Sequence, residues 1–213
     1  MNFTSRFTTL LGECRREMNG AVVGSMRYYG AEYGLNYGVS LPTLRQLAIG
    51  EGKDHKYAQY LYQQQVREIQ LIALWVAEPE RITHDELDFW ARGIINSEIA
   101  EEASFALFQH VDAVCYWLET DSDLLIYTAL LSISKNRRVE FKMLFDKLLA
   151  ITRRNIALVH KAIITLLESY YKEVANRVDV DSFIKQISQF EGCEVIIEEM
   201  KWRREIYLDE DVR

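Results

Sequence analysis

Cysteine, proline and long apolar runs are all scarce in this chain, and each scarcity removes a class of protein. The three cysteines, Cys14, Cys115 and Cys193, lie far apart, are odd in number and form no C-x-x-C pair. That spacing argues against a disulfide framework and against a cysteine zinc site. The four histidines, His55, His84, His110 and His160, are equally scattered, with no H-E-x-x-H spacing, so no metal is expected. There is no G-x-x-x-x-G-K-[ST], no G-x-G-x-x-G and no G-x-S-x-G, which leaves nucleotide cofactors and serine-hydrolase chemistry without a foothold. No apolar run approaches the length of a membrane span, and Met1-Asn2-Phe3-Thr4-Ser5-Arg6 leads into no signal-peptide core. The expectation is a cytoplasmic protein with no membrane partner and no cofactor.

The only two prolines, Pro42 and Pro79, both fall where helices should begin or end. Glycine is uneven. Gly20, Gly24, Gly30, Gly34, Gly38, Gly50 and Gly52 crowd the N-terminal quarter, and none occurs between Gly93 and Gly192. Helices should therefore be short and broken early and regular late. Strand alternation is almost absent, whereas helical periodicity is nearly continuous. Phe141, Leu144, Phe145, Leu148 and Leu149 follow the i, i+3, i+4, i+7, i+8 pattern, and Ile156, Val159, Ile163, Leu167, Tyr170 and Val174 repeat it. Thr83-His84-Asp85-Glu86 reads as a capping box, and further helix starts are marked by Asn96 or Ser97, Asp121 or Ser122, and Asp179 or Asp181. The acidic tail from Leu208 to Arg213 should fray. About a dozen short helices joined by short loops predict an all-α protein, either stacked helix pairs or an all-α globule, in one domain over 1–213.

Two stretches are more specific. Gly38-Val39-Ser40-Leu41-Pro42-Thr43-Leu44-Arg45-Gln46-Leu47-Ala48 is a helix start, with a glycine turn, Ser40 as N-cap and proline in the first turn. Val66-Arg67-Glu68-Ile69-Gln70-Leu71-Ile72-Ala73-Leu74 is a helix polar at its start and apolar on nearly every side, as a helix buried between neighbours should be. Together with His160-Lys161-Ala162-Ile163, they resemble the DNA alkylation repair family of HEAT-like repeat DNA glycosylases. The resemblance implies an all-α fold, a right-handed α-solenoid or superhelix of HEAT-like antiparallel helix pairs, with double-stranded or damaged DNA held on a concave face.

The family's active site pairs tryptophans with an aspartate and an arginine, whose faces and charge stabilise a cationic base and a developing oxocarbenium. Alignment by eye puts Ile99 at a tryptophan position and Ala103 at the aspartate. The arginine falls near Tyr127 and the second tryptophan near Thr165. Glu101 and Glu102 stand beside the missing aspartate and are the substitute catalytic candidates. Helix-dipole compensation explains them as well. The resemblance thus implies DNA binding with base excision weak, altered or absent.

Lys135, Arg137 and Arg138 before one helix, Arg153 and Arg154 between the next two, and Lys161 near a helix start are the candidate phosphate contacts. Arg45 and Arg67 read instead as partners for carboxylates between repeats, with Glu68 and Glu78 near Arg67. Trp75, Trp90 and Trp117 read as core, and Trp202, amid Lys201, Arg203 and Arg204, as the surface aromatic beside positive charge. Net charge is -7, awkward for a DNA binder. It favours the alternative of a helical-repeat scaffold that uses the same surface for a protein partner.

Overall fold

Three of the expected helix starts are built by the side chains read for them. Ser40 accepts the Thr43 N–H, Asn96 that of Ile99, and Ser122 that of Leu125. In the computed structural model, which describes residues 2–31 and 33–210, these caps open three of twelve α-helices. Among the described residues no strand forms; one isolated bridge joins Leu35 and Val66. Of the acidic tail, Asp211, Val212 and Arg213 lie outside the described residues. No helix among the described residues is long and apolar enough to cross a membrane.

The chain divides into two compact units at Leu107 and Phe108. The first holds α1 (Phe3–Arg16), α2 (Gly20–Tyr28), α3 (Leu41–Glu51), α4 (His55–Tyr62), α5 (Arg67–Val76), α6 (Leu87–Ala91) and α7 (Ser97–Ala106). Helix α5 is its centre. Nine of its ten residues are buried, and it packs on α3, α4 and α7. Its first turn has no side-chain cap; the Arg67 N–H donates instead to the Leu35 carbonyl at 2.8 Å. Arg67 also ties the starts of α3 and α7 to the start of α5. It donates to the Val39 carbonyl and to Glu98, and Lys53 just past α3 donates to the Trp75 and Ala77 carbonyls at the end of α5, so α3 and α5 run parallel.

The second unit holds α8 (Asp123–Asn136), α9 (Phe141–Thr152), α10 (Ala157–Tyr171), α11 (Arg177–Ile187) and α12 (Glu194–Glu210). Helix α10 packs most extensively on α8 and then on α12. Arg137, just past α8, donates to the Ser169 carbonyl late in α10, while Arg203 and Tyr207 late in α12 reach Glu168. The ends therefore coincide: α8, α10 and α12 run parallel, with α9 and α11 returning between them. Paired antiparallel helices stacked side by side are the HEAT-like arrangement. The glycine-free stretch turns without glycine: Arg137 (φ 47°) and Asn155 (φ 51°) adopt the left-handed conformation that glycine usually supplies.

Two local readings are corrected. Thr83 forms no side-chain cap, and His84–Glu86 is a single short helical turn. The Glu86 carboxylate is taken by a tertiary partner set, His55 Nε2 at 3.0 Å and Gln59 Nε2 at 2.9 Å. Helix α11 starts at Arg177, ahead of Asp179 and Asp181. Asp181 serves as the partner of Arg204 at 2.7 Å.

His160 lies 6% exposed in the first turns of α10, and its Nε2 has no hydrogen-bond partner. Burial pushes its imidazole below the usual histidine range, outweighing a hydrogen bond with the Thr152 backbone that acts the other way. The unfolded chain then takes up a proton at higher pH than the folded one, so stability is complete above about pH 6.5 and falls as pH drops toward the folded value. Chemical denaturation between pH 8 and 5 is expected to show this decline in the parent and a smaller one in His160→Phe. Parallel curves for the two proteins would remove His160 as the origin.

Candidate nucleic-acid interface

Helix α7 carries both glutamates that stand as catalytic candidates, and its burial pattern separates them. Ile99 and Ala103 have no exposed surface, so the positions aligned with the family's tryptophan and aspartate face the core. Glu101 is exposed. Glu102, only 7% exposed, is locked from both sides: Arg45 Nη2 of α3 donates to Oε1 at 2.7 Å and Trp75 Nε1 of α5 donates to Oε2 at 3.2 Å. The Arg45 guanidinium also lies 5.2 Å from the Trp75 ring centre and 5.6 Å from that of Phe105. Trp75 and Phe105 are themselves 5.7 Å apart.

The result is a cation between two aromatic faces with a carboxylate beneath it. Such a group binds planar or charged ligands. It is poorly suited to activating water, because both oxygens of Glu102 already accept hydrogen bonds. Trp75 is thus no core tryptophan: it is the one residue of α5 that is not buried. Trp90 and Trp117 are buried as expected. Phe105 is 42% exposed, and sequence reasoning misses it, since nothing local tells which face of α7 it occupies. Of the other two aligned positions, Tyr127 is buried and Thr165 donates to the Lys161 carbonyl.

Arg67 is an ion-pair residue, as expected. It sits 2% exposed between Glu68 at 2.9 Å and Glu98 at 2.5 Å. Glu98 replaces Glu78 in that role, and Glu78 pairs with Arg81 at 3.0 Å. Tyr33 donates to Glu98 as well, and burial followed by that carboxylate raises its phenol well above the usual range. Glu68 accepts the backbone N–H groups of Tyr37 and Val39, so the network also fastens the residues immediately ahead of α3.

The six basic candidates fall into two sets. Lys135, Arg137 and Arg138 gather at the end of α8; Arg153 and Arg154 lie in the α9–α10 turn, where Arg154 reaches the start of α8 at Asp123, and Lys161 follows in the second turn of α10. Fourteen residues of α8 separate the sets, a distance of about 21 Å at the α-helical rise. All six residues are exposed, though the Arg154 side chain is partly covered. Arg137 pairs with Glu173 at 2.9 Å, Arg138 with Asp112 at 2.9 Å and Arg154 with Asp123 at 2.6 Å. Arg153 rests 4.7 Å from the Phe190 ring centre, and Lys161 forms no ion pair among the described residues. Exposed pairs of this kind are worth little, about 0–1 kcal/mol, so a phosphate can displace their carboxylates. At the far end of the chain, Trp202 is 47% exposed beneath Arg203, but Arg203 and Arg204 are bonded to Glu168, Glu199 and Asp181.

Parallel layers of paired helices define a HEAT-like repeat protein. The family model described as DNA alkylation repair enzyme matches residues 15–195, and the chain belongs to that family. One similar solved structure comes from a new family of proteins related to the HEAT-like repeat DNA glycosylases with affinity for branched DNA structures. It matches with a TM-score of 0.72 at 13% identity, covering 93% of this chain and 95% of that one. No curated protein matches the sequence.

Proposed function

We propose that this protein binds damaged or branched DNA and does not excise bases. The observation that carries the reading is the state of α7: the aligned catalytic positions, Ile99 and Ala103, are core, and Glu102 is held by Arg45 and Trp75. Membership of the DNA alkylation repair family supports the DNA substrate, and the similar protein with affinity for branched DNA supports the preference. The Arg45–Trp75–Phe105 surface supplies aromatic faces for exposed bases, and the two basic sets of the second unit supply phosphate contacts.

Fluorescence anisotropy on an intact duplex, a duplex with a stable abasic-site analogue and a four-way junction, each at low and moderate salt, tests the reading. The junction or the damaged duplex is expected to bind about tenfold or more tighter than the intact one, with affinity falling as salt rises. Incubation with alkylated duplex should release no free base. Release of a base would restore Glu101 as a catalytic candidate. No binding at low salt would favour the scaffold reading, which the net charge of -7 supports.

A further inference from the structure

A cleft of about 500 Å³ opens in the first unit, away from the Arg45–Trp75–Glu102 cluster, between the α4–α5 turn and α6. One wall is Gln63 and Gln65, the other Phe89 and Arg92, and Gln70 and Tyr62 lie deeper. Its depth depends on Gly93. A Cβ there would lie 2.4 Å from the Tyr62 ring, so only glycine lets the α6–α7 turn sit directly on that ring. The Tyr62 hydroxyl is occupied, donating to the Trp90 carbonyl at 3.0 Å.

The chemistry of the lining is one-sided. In a chain of net charge -7, no carboxylate among the described residues lines this cleft. Arg92 spends only its Nε, on the Asp88 carbonyl at 3.0 Å, and forms no ion pair among the described residues. The carboxamides of Gln63 and Gln65 form no hydrogen bond among the described residues, and Gln70 Nε2 reaches only the Tyr62 carbonyl at 3.5 Å. Carboxamides carry donor and acceptor together, matching the edges of nucleobases. A half-buried phenylalanine offers a stacking face, and a guanidinium offers a fork for a phosphate. The volume is that of a small-ligand site.

We infer that this cleft receives an unpaired nucleotide, its base against Phe89, its edge read by Gln63, Gln65 and Gln70, and its phosphate held by Arg92. The inference rests on the DNA-binding reading above and names the feature of damaged or branched DNA that the protein recognises. A continuous duplex has no free base to offer the cleft, whereas a bulge, flap or branch point does.

The test uses the full chain, a duplex with a single unpaired 2-aminopurine and its fully paired counterpart, read by anisotropy and by 2-aminopurine emission. The bulged duplex is expected to bind about tenfold more tightly than the paired one, with emission changing as the base stacks. Gln65→Ala with Arg92→Ala, both at exposed positions, should cut that preference to under about twofold while leaving the paired duplex within about twofold. Phe89→Leu keeps an apolar contact with Tyr62 and Trp90 and should abolish the emission change; thermal melting verifies its fold. Bulge binding with the same emission change in parent and variants would overturn the cleft and leave the DNA reading standing. Failure of every DNA to bind would overturn both.

Discussion

Arg67→Met is expected to cost the protein about 3–5 kcal/mol of stability, because it strands two carboxylates that only this guanidinium neutralises. Glu68 has no exposed surface, so water cannot take over from its missing partner, whereas Glu98, 20% exposed, keeps Tyr33 and some contact with solvent. For a chain of this size the melting temperature should fall by roughly 10 °C. The similar length of methionine separates the charge effect from a packing effect. Burial alone would lower the guanidinium's proton affinity, yet Glu98 and Glu68 together raise it, so the cation persists at any pH at which the fold survives. Arg67→Met combined with Glu68→Gln should recover part of the stability, since a neutral amide at position 68 still has the Tyr37 and Val39 N–H groups beside it. Equal melting of the parent and Arg67→Met would mean that the network contributes nothing to the first unit.

What is legible in the sequence follows the range of the interaction concerned. Ser40, Asn96 and Ser122 are readable as caps because a cap bonds within three residues of itself. Helix α5 is readable as buried because its apolar residues leave no polar face. The capping box at Thr83 misleads for the complementary reason: Glu86 has a better partner set in His55 and Gln59, some thirty residues away. Trp75 reads as core because its neighbours in sequence are apolar. Its partly exposed position depends on Arg45 from α3 and Glu102 from α7, which no window of sequence contains together. The same holds for the glutamine-lined cleft, where α4, α5, α6, the turns after α4 and α6 and the segment before α3 each contribute one to three unremarkable residues. The register of α7 is also beyond reach by eye. A one-residue slip moves a side chain about 100° around the helix, and a slip of one or two positions exchanges the buried Ala103 for Glu102 or for the exposed Glu101.

The basic residues of the second unit yield the second large effect. Arg137→Glu with Arg138→Glu removes two positive charges at the end of α8, and Arg153→Glu with Lys161→Glu removes two from the set around the α9–α10 turn. A double variant at an end of α8 that DNA contacts is expected to weaken binding of the preferred DNA by about 10- to 100-fold at low salt. It should also flatten the dependence of log affinity on log salt by roughly 0.9 for each phosphate that the protein no longer neutralises. Arg154 is better replaced by Gln, because it also donates to the Thr120 and Asp121 carbonyls ahead of α8 and a glutamate there would face Asp123. The two doubles discriminate between modes of binding. If DNA spans the whole length of α8, both doubles bind more weakly and the combined variant weakens by the product of the two factors. If DNA follows one edge of the helix layer, a single double carries nearly the whole effect and the other stays within about twofold of the parent. The exposed ion pairs with Glu173 and Asp112 sharpen this comparison. Those carboxylates compete with phosphate for Arg137 and Arg138, so Glu173→Gln should tighten binding wherever DNA uses that end. Unchanged affinity and an unchanged salt slope in both doubles would place the phosphate contacts elsewhere and leave the aromatic surface of the first unit as the remaining candidate.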